Sequence, residues 1–286
     1  MPSTLYFVGG DAAGANDFSV AANWRDNSTD AVAGAKPASD DIVLFDHRMQ
    51  FACTAGMAQG AVDLQALHFR TGRRFGVGAS GVPLVIAVSN ITTSSDPHAT
   101  IAGTQGDVYL AAGTNKIDRV EVFSNGTGAV YLTGGTFTMH YQAGGRCTYG
   151  ADSTLTSGII ADGVFVQEDS GAGSNTTTLD LVGGRADLAR VITNFNGRGG
   201  SALMRPTATP STVVLDGSDV TYQAKSIVNF TAYSGRWDTT SNGNTGISFG
   251  TTGGTIYWST TNQVLLGSAD ASIDSNVTQF GTPNVL

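Results

Sequence analysis

Apolar and polar positions along this chain form a column pattern that comes back about every 22 residues. Val108-Tyr-Leu-Ala-Ala-Gly-Thr114 is followed by Val130-Tyr-Leu-Thr-Gly-Gly-Thr136. With the leucine as marker, the column reads Val88, Leu110, Leu132, Leu155, Leu181, Leu215, Trp237 and Trp258. The spacings are 22, 22, 23, 26, 34, 22 and 21 residues. Two residues earlier stand Ile86, Val108, Val130, Ser153, Leu179, Val213, Gly235 and Ile256, again mostly apolar. Between the two columns lie Ala87, Tyr109, Tyr131, Thr154, Asp180, Val214, Arg236 and Tyr257, a mixed set. Alternate side chains of a strand face opposite sides, so each copy reads as an in-out-in strand running into a tight turn. A strand that short cannot bury its apolar face alone, but stacked copies can, and a fixed period in this range marks a solenoid.

The pattern therefore predicts an all-β chain folded as a parallel β-helix of about nine or ten coils, a rod about 45 Å long at the usual strand spacing. The crossover rule predicts right-handed winding. A β-sandwich with evenly spaced strands is the alternative, but it gives no reason for one column to recur. Turn signals fall at Asn125-Gly126, Asp162-Gly163, Asp216-Gly217 and Asn242-Gly243, where Asn, Asp and Gly tolerate the backbone of a corner. Two coils look long. One carries its excess at Gln167–Asn175, the other at Asn196–Gly200 and Arg205–Pro210, and insertions in a repeat array project as loops.

Composition agrees with this class. Of the acidic residues only Glu121 and Glu168 are glutamate, and only three residues are lysine, so the usual tenants of helix surfaces are scarce. A net charge of −8 speaks against nucleic acid as a partner, because phosphate binding needs clustered cations. The one basic cluster, Arg70, Arg73 and Arg74 around Gly72, reads as a solvated turn or a protein contact. Cys53 and Cys147 have no CxxC or ligand spacing, which predicts free thiols and no metal. No apolar run is long enough to span a membrane, and the N-terminus lacks the pattern of a signal peptide.

Glu168 and Asp169 are adjacent and would point apart on a strand. Asp216 and Asp238, read as equivalent positions one coil apart, are the best carboxylate pair for a glycosidase, yet both look like turn-capping aspartates. His47, His68, His98 and His140 have no acidic or serine partner at a recurring offset. Trp237 and Trp258 read as core. Tyr109 and Tyr131, with Tyr257 further on, occupy the outward column, where an aromatic stack binds sugar rings or a partner or simply stabilises a ladder. The expectation is no catalytic residue, no metal and no cofactor. The partner- or glycan-contact candidates are Tyr109, Tyr131, Tyr257, Arg70, Arg73 and Arg74.

Residues 1–66 do not fit the period and are expected to form an N-terminal cap and docking segment, with the β-helix over 67–286. Trp24, Pro37 and Asp41-x-Val-x-Phe45 resemble the lead-in of bacterial and phage β-solenoids. That resemblance implies that Trp24 plugs the open end of the core and that Ile42–Phe45 forms the first strand. It further implies a phage structural protein located in the virion, most simply a capsid decoration protein (a head spike or fibre) without catalytic activity. The partners would be other virion proteins, the major capsid protein first among them. A homotrimer, a monomer that assembles only on a shell, and a surface glycan ligand all stay open. The alternatives are a tail-spike-like receptor binder or polysaccharide-degrading enzyme, and an adhesin fragment.

Overall fold

Short runs such as Leu84-Val-Ile-Ala-Val88 and Thr176-Thr-Thr-Leu-Asp-Leu181, closed by Gly, Asn and Asp, form strands that pair in parallel one coil after another. The computed structural model describes residues 2–88, 99–102, 105–112, 116–123, 128–169 and 175–223, and beyond these the backbone of short strands only. The chain divides into two compact units, Met1–Thr154 and Leu155–Leu286.

The first unit contains β1 (Thr4–Phe7), β2 (Trp24–Asp26), β3 (Ile42–Phe45), β4 (Ala58–Leu64), β5 (Ala66–Phe69) and β6 (Leu84–Val88). It continues with β7 (Ala99–Ala102), β8 (Val108–Ala111), β9 (Lys116–Phe123), β10 (Ala129–Thr133) and β11 (Gly135–Tyr149). One parallel ladder runs β1, β3, β5, β7, β9 and the first half of β11. A second runs β4, β6, β8, β10 and the second half of β11. β2 turns back, antiparallel to β1, after a 3-10 turn at Ala21–Asn23.

The inward columns are continuous. Phe45, Phe69, Ile101 and Val122 are consecutive partners and all are fully buried; the Phe45 and Phe69 rings stack at 5.3 Å. At the start of the ladder Trp24 is fully buried and packs edge-on against Phe7 at 5.1 Å and Phe18 at 4.8 Å. Its indole N–H donates to the Phe18 carbonyl at 2.8 Å, so its one polar atom is satisfied inside the core. The parallel stack already includes β1 and β3, so Ile42–Phe45 is a rung and not only a lid.

The second unit contains β12 (Ser153–Gln167, paired from Leu155), β13 (Thr176–Leu181), β14 (Arg185–Leu188), β15 (Ile192–Gly197), β16 (Ser201–Met204) and β17 (Thr212–Tyr222). Here one ladder runs β12, β13, β15, β17 and the strands at 229–232, 255–258 and 278–280. The other runs β12, β14, β16, the end of β17 and the strands at 236–238, 263–265 and 284–285. Leu179, Leu181, Phe195, Val213 and Leu215 point inward and are buried.

The parallel β-solenoid is thus the fold, but the register differs from the uniform period. Leu110 lies beside Leu132 and Val108 beside Val130, as the columns predict. On the other side Leu110 pairs with Leu84, while Val88 pairs with Ile117. Leu132 pairs with Tyr149, not Leu155. The 34-residue interval from Leu181 to Leu215 is two coils, because Gly197 pairs with both. Coils here take 16 and 18 residues, so Asn196–Gly200 is an ordinary corner and not an inserted loop. Arg205–Pro210 likewise closes a coil: Ala208 is buried and the Thr207 hydroxyl donates to the Ala189 carbonyl at 2.6 Å. Trp237 pairs with Val220, in the other ladder from Trp258, which pairs with Ala232; their side chains lie outside the described residues. The count of nine or ten coils, drawn from a 22-residue period, gives way among the described residues to ladders of six and five strands in the first unit and of seven each in the second.

Candidate functional site

Tyr109 on β8 and Tyr131 on β10 are direct partners and stand outward between buried neighbours, because an in-out-in strand leaves its middle side chain on the surface. Their rings stack at 4.4 Å with planes 5° apart. Partial burial raises the Tyr109 phenol above its usual value, and the adjoining Tyr131 and Asp107 push it the same way. The two stacked faces cover each other, so the pair braces consecutive coils and offers ring edges and hydroxyls to a contact. Tyr257 pairs with Thr231 in the second unit; its side chain lies outside the described residues.

The arginine turn separates into two kinds of residue. Arg70 and Arg74 are exposed. Arg73 is fully buried, which removes it from the contact candidates. Its guanidinium donates to the Phe75 carbonyl and, at 2.6 Å, to the Gly106 carbonyl, and it lies 5.6 Å over the Phe69 ring. Burial lowers its pKa to about 10, with Asp107 opposing, so it stays charged at neutral pH and ties the turn after β5 to the segment before β8. In a triplet of arginines at a turn, nothing in residue type distinguishes the inward one.

Sequence reasoning missed what this turn stands beside. Phe45 and Phe69 are register partners, so the turns that follow them, Asp46–Gln50 and Arg70–Arg74, are neighbours in space. That juxtaposition follows from the ladder, not from motif spacing. In the first of these turns Asp46 is buried and accepts from Arg48 at 2.5 Å. Burial raises the Asp46 carboxyl, but the Arg48 hydrogen bonds outweigh it and hold the group below its usual range. Arg48 also sits 3.5 Å over the Tyr6 ring.

The two aspartates weighed as a carboxylate pair do not share a register position. Asp216 pairs with Ser234, whereas Asp238 pairs with Thr221, so they are not equivalent positions on successive coils. Other carboxylates are engaged in holding coils to one another. The Asn196 amide donates to Asp180 at 2.6 Å, and Arg205 donates two bonds to Asp187 at 2.6 and 2.7 Å. Glu168 and Asp169 are exposed at the end of β12. Among the described residues no group of three or more His, Cys, Asp or Glu is placed to hold a metal ion. Cys53 and Cys147 are buried free thiols, and burial raises both above the usual thiol range.

Comparison of the chain with protein-family models, with curated proteins and with solved structures finds no match.

Proposed function

We propose that this chain is a structural component of a phage virion, a capsid decoration protein that works through the surface it presents and not through catalysis. The observation that carries the reading is Trp24. It is fully buried against Phe7 and Phe18 and 5.8 Å from Phe45, which supports reading it as a plug of the core. The open end of a solenoid exposes both its core and unpaired strand edges, and a plug of this kind suits a chain built to stand outside a shell. The outward residues lend further support, since Asp180, Asn196, Asp187 and Arg205 are used between coils, as in a scaffold. The major capsid protein is the proposed partner, docked through the N-terminal segment or a lateral face. Quantitative mass spectrometry of purified particles, with immunogold labelling, tests the proposal. The chain is expected in a fixed ratio to the major capsid protein, with label on heads. Its absence from particles, or label confined to tails, contradicts it.

The stacked pair Tyr109–Tyr131 favours a second reading, a tail-spike-like receptor-binding or polysaccharide-degrading protein. Release of reducing sugar from host surface polysaccharide by the full chain would move the reading there.

A further inference from the structure

The two neighbouring turns enclose a groove in the first unit. It has a volume of about 640 Å³ and is lined by His47, Met49, Gly72, Arg74, Phe75 and Gln105. His47 and Met49 also line a second hollow of about 460 Å³, together with Arg25, Asp30, Arg48 and Gln50 among others. His47 and Met49 thus line both hollows.

Its charge runs against that of the whole chain. In a protein of net charge −8, the two hollows gather the cations Arg25, Arg48 and Arg74, while Asp30 is the lining carboxylate and buried Asp46 pairs with Arg48. Two of these cations are held in place. Arg25 donates to the Ala22 and Trp24 carbonyls at 2.7 and 3.1 Å. Arg48 is fixed by Asp46, by Asn27 at 3.0 Å and by the face of Tyr6. Arg74 is exposed and makes no ion pair among the described residues. The wall that carries it is pinned by buried Arg73, whose bonds to Phe75 and Gly106 join the two segments flanking the groove. Preorganised cations of this kind favour an anionic ligand, since little ordering remains to be done on binding.

Other features narrow the class. At about 640 Å³ the first hollow exceeds what one small anion fills and lies in the size range of organic ligand clefts. Phe75 is half-buried and offers part of a ring against which the C–H face of a sugar packs. Gln50 and Gln105 present amides that both donate and accept, which matches hydroxyl groups. A nucleic acid needs a longer run of cations and would meet repulsion from the rest of the chain.

We propose that this groove binds an acidic oligosaccharide, with a uronate carboxylate against Arg74. The proposal does not depend on whether the chain is carried on virions, because its test needs only the purified full-length protein. Isothermal titration with tetragalacturonic acid, maltotetraose and hexaglutamate separates the outcomes. Tetragalacturonate is expected to bind one to one, more weakly as salt shortens the screening length, and better than the other two. Arg74→Ala is expected to weaken it roughly tenfold, the loss of one charge-assisted hydrogen bond. Arg198→Ala, an exposed arginine of the second unit, should change nothing. Maltotetraose binding equally well removes the role of charge, and hexaglutamate binding equally well reassigns the groove to an acidic peptide; either overturns the proposal. So does the absence of measurable tetragalacturonate binding, or equal loss in Arg74→Ala and Arg198→Ala with unchanged melting of both.

Discussion

His140 stands beside Val120 in the inward column of the first unit, fully buried, with its Nε2 3.3 Å from the Gln142 side-chain oxygen. Burial lowers its pKa from 6.5 to about 4, with Gln142 opposing. As pH falls, the unfolded chain therefore takes up this proton first. The residue's contribution to stability is complete above about pH 6.5 and is lost progressively as pH drops toward 4, by about 1–2 kcal/mol at pH 5.5. Urea unfolding between pH 7 and pH 5 should show a steeper loss for the native chain than for His140→Gln. Parallel slopes for the two would remove His140 as the source. Residues of this kind were the hardest to place from sequence. His140 carries no partner at a recurring offset, and Arg73 looks like Arg70 and Arg74, because burial of a polar side chain depends on register and not on residue type. Burial of Trp24 was legible, since a large apolar side chain gains most by leaving water.

At the scale of elements, the corners set the coil length. In the second unit the turns at Gly184 and Gly200 join the two ladders with φ of 68° and 70°, in the left-handed region that favours glycine. A Cβ on Gly200 would lie 2.5 Å from the Gly184 carbonyl oxygen, and one on Gly184 would lie 2.6 Å from the Gly163 oxygen. Successive corners thus stack backbone on backbone. Gly200→Ala is expected to cost at least about 2 kcal/mol from strain and forced displacement together. Gly34→Ala, with nothing within 4 Å, should cost little, as thermal unfolding of both variants will show; equal melting points would mean that the corners give way easily. These tight corners also explain how far the sequence could be read. The tyrosine rungs were legible because Val108–Val130 is a true coil of 22 residues. Further on, coils of 16 and 18 residues make up the 34-residue interval, which a search at period 22 mistakes for one coil with insertions. Phe195-Asn-Gly197 hid the extra rung, since Gly197 stands where Leu was sought.

In the whole molecule, each unit owes its stability to an interior shared by stacked parallel strands, and the two interiors differ. That of the first unit begins with aromatic residues around Trp24 and ends, on β11, with His140, Gln142, Cys147 and Tyr149 beside Val120, Val122, Val130 and Leu132. The second runs through Leu155, Phe165, Leu181, Phe195 and Leu215, with buried Gln167, Thr176 and Tyr222 among them. All-β class and parallel stacking were legible from the recurring columns and the scarcity of Glu and Lys. The division at Thr154–Leu155 was not, because the marker column passes through it without a break. Both interiors follow from the stacking order of coils, and paired cysteines test that order directly. Parallel neighbours lie about 4.8 Å apart, within disulfide reach, whereas positions two rungs apart lie about 9.6 Å apart, beyond it. Asp180→Cys with Asn196→Cys should form a disulfide readily in the folded chain under mild oxidation, and Asp180→Cys with Val214→Cys should not. A bond between positions 180 and 214, with none between 180 and 196, would contradict the stack described.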